Sequence, residues 1–225
     1  MRLVKEVVLA WPLLALLLLI DGIFIGLHVW LWYMGWLEAV PQLNLERRGS
    51  ASEFFNYLKW LTCSLAGLWL FARRREPLYL AWAALFTCFL VEDAESFRTE
   101  AGARIAELMG WGPTLALTGP ELGELVAAST VGAILLGAIA FAYWRSDDRE
   151  AKAFSRDLLP WLGAFIIFGI GVDMIHTMVS HRTMLSAFLG VVEETGEMIV
   201  ASILTSIVCL QAVPVTRGVM LTARS

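Results

Sequence analysis

Charged residues are scarce in this sequence. Only 17% of its 225 residues are Asp, Glu, Lys or Arg, whereas 58% are hydrophobic, and the mean hydropathy is +0.68. Because about a quarter of the residues in a soluble domain are charged, this balance predicts an integral membrane protein in contact with the lipid bilayer. The formal net charge is -4 and no basic run exceeds three residues, so the clustered Lys and Arg of a nucleic-acid-binding surface are lacking.

Cysteine and histidine are also rare, with three residues of each. Cys63, Cys88 and Cys209 lie singly in apolar segments and form no CxxC pair, which favours packing roles over disulfides or a zinc site. Three histidines are too few for a histidine-rich membrane oxygenase. The sequence lacks GxxxxGK[ST], HExxH and GxSxG, which mark P-loop proteins, zincin proteases and serine hydrolases.

Long apolar segments are what the sequence has instead. Six segments approach the roughly 20 residues that a helix needs to cross a bilayer. They cover residues 7–36, 54–72, 78–97, 121–144, 158–180 and 183–213. The first is longer than the apolar region of a signal peptide, and no small-x-small site follows it, so it is predicted to be a retained span. The sequence therefore predicts an all-α, polytopic bundle of six transmembrane helices, with residues 1–225 forming a single domain.

The distribution of Lys and Arg predicts the orientation of the spans. With the N-terminus in the cytoplasm, eleven basic residues lie in inner segments and five in outer ones, and Lys59 lies within a helix. The inner residues are Arg2, Lys5, Arg73, Arg74, Arg75, Arg145, Arg149, Lys152, Arg156, Arg217 and Arg224. The outer residues are Arg47, Arg48, Arg98, Arg104 and Arg182. Both termini are therefore predicted to be cytoplasmic, in a bacterial inner membrane.

The spans group into three predicted hairpins, over residues 7–72, 78–144 and 158–213, with signs of internal repetition. The pattern E-x-G-E-apolar-apolar-x-A-S occurs at residues 121–129 and again at 194–202. The preceding helices also align, residues 91–95 with 172–176, and a fainter first copy is placed by position alone. Because all three hairpins run in the same sense, the pattern predicts parallel repeats about an axis along the membrane normal.

Ionisable residues within the spans are the strongest indication of function, because a charge at the bilayer centre costs at least about 2.5 kcal/mol. The predicted metal ligands are Asp21, Glu92, Asp93, Asp173, His176, Glu193, Glu194 and Glu197, all in central or outer parts of the spans. Asp173 with His176 and Glu193 with Glu197 each share one helix face. Such acid and His pairs are typical of di-iron and di-manganese bundles, and their donors suit Mn, Fe or Zn. The same carboxylates suit a proton relay.

Several of the polar residues have a structural interpretation instead. Glu53 and Glu121 lie in the first turns of their helices, where Ser52 or Thr118 could act as the cap. Arg98 is expected on the solvated face of an interfacial helix over residues 95–109.

The histidines also have ordinary interpretations. His28 lies among tryptophans that are typical of a membrane interface. His181 is expected with Arg182 in a short outer loop.

Three functions fit these features. The first is an outward-facing intramembrane site of carboxylates and His that binds or conducts a cation, either a divalent metal or a proton. The second is an accessory subunit of a membrane complex, with a protein partner or a second copy, that holds a haem or pigment through His28 or His176. The third is a metal-dependent membrane enzyme, which differs from the first in having a bound water and a substrate cleft. The sequence favours the first.

Overall fold

The computed structural model describes residues 2–95, 97–112, 118–179 and 183–213, and within them helices account for 89% of the residues and no strand occurs. The helices are α1 (Arg2–Met34), α2 (Ala51–Arg74), α3 (Pro77–Glu95), α4 (Phe97–Met109), α5 (Gly119–Arg145), α6 (Arg149–Ile166), α7 (Asp173–Met178) and α8 (Met184–Ala212). Two short 3₁₀ turns follow α1, and a π-helical stretch (Ile167–Val172) joins α6 to α7. The all-α class is confirmed. His181, Arg182, Arg217 and Arg224 lie outside the described residues.

Five of these helical segments are long and apolar enough to cross a membrane. They are Trp11–Met34, Pro77–Glu95, Gly119–Arg145, Arg149–His176 and Met184–Ala212. Many of their large apolar side chains are exposed, such as Leu19, Ile134 and Ile167, which suits a surface in contact with acyl chains. The protein therefore has the character of an integral membrane protein.

Helix α2, the second of the six predicted spans, is not among these five segments. Its sequence is interrupted by polar residues such as Asn56 and Lys59, both of which are buried. Helix α2 packs against α3 and α8, so these side chains face other helices. Its 24 residues extend for about 36 Å at 1.5 Å per residue, which is enough to cross the bilayer core. A sixth crossing therefore remains a prediction.

The fifth predicted span begins earlier than the sequence indicated. Residue 158 was expected to be its start, but α6 begins at Arg149, and the Asp148 side chain caps it by accepting hydrogen bonds from the next helical N–H groups. The first turns of α6 are amphipathic, and their buried residues pack on α3. The Trp82 indole N–H donates to the Ser155 hydroxyl over 2.9 Å. The charged segment 149–157, which precedes the predicted span, thus belongs to a helix with one buried face.

The core occupies the half of the bundle in which α2 ends and α3 and α6 begin. Buried aromatic rings of α2 and α3 dominate it, with Trp82 stacked on Phe86 and Phe86 stacked on Trp60. Cys63 is fully buried beside Thr205 of α8, with 3.3 Å between the sulfur and the hydroxyl oxygen. All three cysteines are free thiols. The acids predicted within the spans lie mainly toward the opposite end of the bundle.

Candidate functional site

A cavity of about 640 Å³ opens among α2, α3, α5, the π-helical stretch and α8. It lies toward the end of the bundle where α3 ends and α2 and α5 begin. Five of the predicted ligands line it. They are Glu92, Asp93, Glu193, Glu194 and Glu197, and Glu46 and Glu53 join them. The acids that the sequence places on separate helices therefore share one space, which we call the acidic cavity.

Arg98 lies at the edge of this cavity and connects three helices. Its guanidinium nitrogens are 3.6 Å from a Glu92 oxygen, 3.7 Å from a Glu124 oxygen and 3.7 Å from an Asp173 oxygen. Its backbone N–H donates to Glu92 over 3.0 Å, and its buried Nε has no hydrogen-bond partner among the described residues. The sequence predicts Arg98 on a solvated helix face; its side chain is partly exposed, but its guanidinium lies beside three acids because α4 folds back against α5.

Two glycines make that close approach of α4 and α5 possible. A Cβ atom on Gly102 would lie 2.5 Å from the backbone nitrogen of Glu124, and one on Gly123 would collide with the Gly102 carbonyl. Gly123, the third residue of the E-x-G-E pattern at 121–124, is therefore a packing position. It sets Glu124 beside Arg98.

His176 pairs with the acid predicted to face it. Its Nδ1 lies 3.2 Å from a Glu193 carboxylate oxygen, and its Nε2 lies 3.2 Å from the Ser186 hydroxyl oxygen. Both ring nitrogens are therefore within hydrogen-bond distance of α8. A haem or metal bound to His176 would have to replace one of these contacts.

Asp93 is held by α2. The Trp60 indole N–H donates to its carboxylate over 2.9 Å, and the Tyr57 hydroxyl donates to its backbone carbonyl over 2.8 Å. These contacts fix the end of α3 against α2. They also occupy one carboxylate oxygen of Asp93.

Glu194 and Glu197 differ from Glu53, Glu92, Asp93 and Glu193 of the same cavity. Within the described residues, neither carboxylate has a hydrogen bond or salt bridge. A Cβ atom on Gly169 would collide with a Glu197 carboxylate oxygen, so Glu197 lies directly against the backbone of the π-helical stretch. Stretches of π-helix within α-helices often occur at functional sites. Glu46, which also lines the cavity, is exposed, so Glu194 and Glu197 are the two partly buried acids of the cavity that have no hydrogen bond or salt bridge in the described part of the protein.

Asp21 has a separate role. Its carboxylate is 2.7 Å from the Lys59 ammonium nitrogen, and both side chains are only 1% exposed. The Ser202 hydroxyl donates to the second Asp21 oxygen over 2.6 Å. Lys59 also donates to the Asn56 side-chain oxygen and the Met198 carbonyl, over 3.0 and 3.1 Å. Asp21 thus belongs to a saturated ion pair that joins α1, α2 and α8, and Asn56 connects that pair to the cavity wall.

His28 is buried, at 2% exposure, so it does not lie at an open interface as its tryptophan neighbours implied. Its Nδ1 accepts a hydrogen bond from the Leu45 backbone N–H over 3.1 Å. This contact ties the connection between α1 and α2 to α1. A ligand role for His28 through its other ring nitrogen remains a prediction.

Glu53 and Glu121 lie in the first turns of α2 and α5, as predicted, and each accepts a backbone hydrogen bond there. The Thr118 N–H donates to the Glu121 carboxylate over 2.6 Å, in a capping box. Glu53 accepts a hydrogen bond from the Gly49 N–H. The cap of α2 is Ser50 and not the expected Ser52, because Ser50 accepts from the Glu53 N–H over 3.3 Å.

The geometry of a metal site is more demanding than a shared cavity. Among the described residues, no three His, Cys, Asp or Glu side chains are grouped so that they could hold a metal ion. The predicted ligands are divided between the Arg98 cluster, the His176–Glu193 pair, the Asp21–Lys59 pair, Asp93 with its Trp60 partner, and the unpartnered Glu194 and Glu197. A site for Mn, Fe or Zn would therefore require these side chains to move together.

Sequence reasoning missed Lys59 and Arg98 as partners of the acids. A signal existed for Lys59, because a lone lysine in an apolar helix requires an acidic partner, and Asp21 is in the adjacent span. Arg98 gave no such signal, since its position follows from the folding of α4 against α5. No family model, curated protein or solved structure matches this chain.

Proposed function

We propose that the protein binds and conducts a cation through the acidic cavity, with a proton as the favoured ion. The observation that carries this proposal is the pair of carboxylates, Glu194 and Glu197, that line the cavity without a hydrogen bond or salt bridge in the described part of the chain. Their neighbours Glu92, Asp93 and Glu193 each have one. Glu194 and Glu197 are thus available to an ion from outside.

An ionised carboxylate without a counter-charge is costly within a membrane-spanning helix. Removing a carboxylate from water costs several kcal/mol even after the surroundings relax, unless a counter-charge is close. Both residues lie in the first half of α8, one of the five segments that can cross a membrane. In such a place a carboxylate either holds a proton or attracts another cation. The acidic surroundings strengthen that attraction, since seven acids and three arginines line the cavity.

A proton fits this geometry more directly than a divalent metal does. One carboxylate oxygen is enough to hold a proton, whereas Mn, Fe or Zn needs several donors arranged around one point. The His176–Glu193 pair lies next to Glu194 along α8 and offers a second site at which a proton can be donated or accepted. Binding of a divalent metal would require the carboxylate side chains of the cavity to rearrange around one point.

The direction of access follows from the proposed topology. With α2 as a sixth span and both termini in the cytoplasm, the acidic cavity lies on the outer side of the membrane. The eleven-to-five distribution of basic residues supports that orientation. The three-hairpin repeat would place Glu92 and Asp173 at equivalent positions, and both lie within 3.7 Å of Arg98.

An ion-flux measurement tests the proposal. Purified protein reconstituted in liposomes should dissipate an imposed pH gradient, as reported by a pH-sensitive dye in the lumen. We expect the double variant Glu194→Gln with Glu197→Gln to lose this flux by about tenfold or more, because the amides cannot exchange protons. The control is Glu38→Gln with Glu107→Gln, which removes two exposed acids of the described surface. Equal flux in wild type and the first double variant would contradict the proposal.

Metal analysis of the same preparations separates the two cations. Mass spectrometry of the purified protein should find no stoichiometric metal if the ion is a proton. One metal ion per chain, lost in the Glu194→Gln, Glu197→Gln variant and retained in the control, would identify a divalent metal as the ion instead.

A further inference from the structure

We propose that the acidic cavity takes an amphipathic organic cation, with one amine or onium group and an apolar body. This inference rests on the proposed function, because Glu194 and Glu197 would hold the charged group. It adds the chemical class of a ligand and the surface that recognises its uncharged part.

The size of the cavity is the first support. Its volume is about 640 Å³, whereas a water molecule in the liquid occupies about 30 Å³. A bare inorganic ion or a proton leaves such a space to water. The volume falls within the roughly 300–1,000 Å³ of pockets that hold small organic molecules.

The chemistry of the wall is the second support. Apart from the acids and arginines at one end, the wall consists mainly of apolar side chains of α3, α5 and α6. Phe89 and Phe165 form a tilted aromatic pair there, with ring centroids 4.8 Å apart. Such a wall contributes nothing to the binding of an inorganic cation, but it favours the binding of an apolar body. The aromatic faces also attract an onium group.

The distribution of partners among the acids is the third support. Glu92 pairs with Arg98, Asp93 with Trp60 and Glu193 with His176. Glu194 and Glu197 have no hydrogen bond or salt bridge within the described residues, and both line the cavity. The charged group of a ligand would therefore meet these two carboxylates, while its body extends along Phe89 and Phe165.

Binding of radiolabelled tetraphenylphosphonium to the purified full-length protein in detergent tests the inference. This probe has one permanent positive charge and an apolar surface, and it cannot donate a proton. We expect saturable binding that weakens at least about tenfold in the Glu194→Gln, Glu197→Gln variant. Tetraphenylborate, an anion of the same shape, should not bind saturably. Equal binding of both probes would show that the carboxylates do not recognise charge and would overturn the inference.

A second variant fills the cavity and leaves its acids in place. Gly132 lines the cavity, and a Cβ atom there meets nothing within 4 Å, so Gly132→Phe should occupy the space of the ligand body. The matched control is Gly137→Phe on the same helix, where the added side chain also meets nothing but lies on the exposed surface. Gly132→Leu replaces Gly132→Phe if the larger residue prevents folding.

The outcomes separate the two proposals. Loss of tetraphenylphosphonium binding in Gly132→Phe, with binding retained in Gly137→Phe, supports an organic ligand. Failure of the wild type to bind the probe, with proton flux that still depends on Glu194 and Glu197, overturns the organic ligand alone. Absence of both binding and flux overturns both proposals.

Discussion

A buried lysine and a buried aspartate hold three helices of this membrane protein together. The Asp21–Lys59 pair has a partner for nearly every polar atom, including the Ser202 hydroxyl and the Met198 carbonyl. A buried ion pair adds little to the free energy of unfolding compared with apolar residues of the same volume. Removal of one member, however, leaves an uncompensated buried charge. Removal of one member of the pair should therefore affect mainly the stability of the protein.

Loss of Lys59 should destabilise the protein strongly. We expect Lys59→Met to lower the free energy of unfolding by about 3–5 kcal/mol, because Asp21 stays buried without a counter-charge. Combining it with Asp21→Leu should recover a large part of that loss. Unfolding in detergent, followed by circular dichroism, measures both effects. The control Lys152→Met removes a lysine at the other end of the bundle, and an equal loss in that variant would argue against a specific role for the pair.

Removal of Arg98 should have a smaller effect on stability. Its three ion pairs have nitrogen–oxygen distances of 3.6–3.7 Å and its side chain is 31% exposed, so solvent screens them. We expect Arg98→Gln to lower the free energy of unfolding by about 1 kcal/mol, whereas Arg104→Gln, on the exposed face of the same helix, should change it by less. Equal values for the two variants would contradict the inward placement of Arg98.

At the scale of the elements, the contact between α4 and α5 depends on glycine. A methyl group on Gly102 would meet the Glu124 backbone at 2.5 Å, and backbone cannot move aside as a flexible side chain can. We expect Gly102→Ala to lower the free energy of unfolding by about 1–3 kcal/mol. Gly137→Ala, which adds a methyl group in open space on α5, should be neutral or slightly stabilising. Unfolding in detergent compares the two, and a neutral Gly102→Ala would show that α4 does not pack so closely.

The sequence was sufficient to predict the helices themselves, because long apolar runs leave few alternatives in a bilayer. Segment 121–144 became Gly119–Arg145, and 183–213 became Met184–Ala212. The sequence was not sufficient to predict features that depend on tertiary packing. Helix α6 starts nine residues before the predicted position because its charged first turns bury one face on α3. The π-helical stretch leaves no trace in hydropathy, although it lies directly against Glu197.

The same distinction applies to the site. The gathering of Glu92, Asp93, Glu193, Glu194 and Glu197 around one cavity agrees with their common position along the spans. Two of their partners could not be read from the sequence, since Trp60 reaches Asp93 and Arg98 reaches Glu92 only through tertiary packing. The lack of such a partner distinguishes Glu194 and Glu197 from Glu92, Asp93 and Glu193.

At the scale of the whole molecule, the crossing of α2 determines which side of the membrane each loop occupies. If α2 crosses, positions 38 and 75, in the exposed loops before and after it, lie on opposite sides. We expect Glu38→Cys and Arg75→Cys, each made in a background without the native cysteines, to react with an impermeant maleimide from opposite faces of sealed vesicles. Labelling of both from the same face would show that α2 does not cross.

The account depends most on the claim that Glu194 and Glu197 hold a cation, and infrared spectroscopy of the carboxyl groups tests it most directly. With a proton as the ion, the wild-type protein should show a protonated carboxyl band that titrates with pH. That band should disappear in the Glu194→Gln, Glu197→Gln variant and persist in the Glu38→Gln, Glu107→Gln control. A wild-type protein without a protonated carboxyl band at neutral pH, and with no bound metal, would contradict the account.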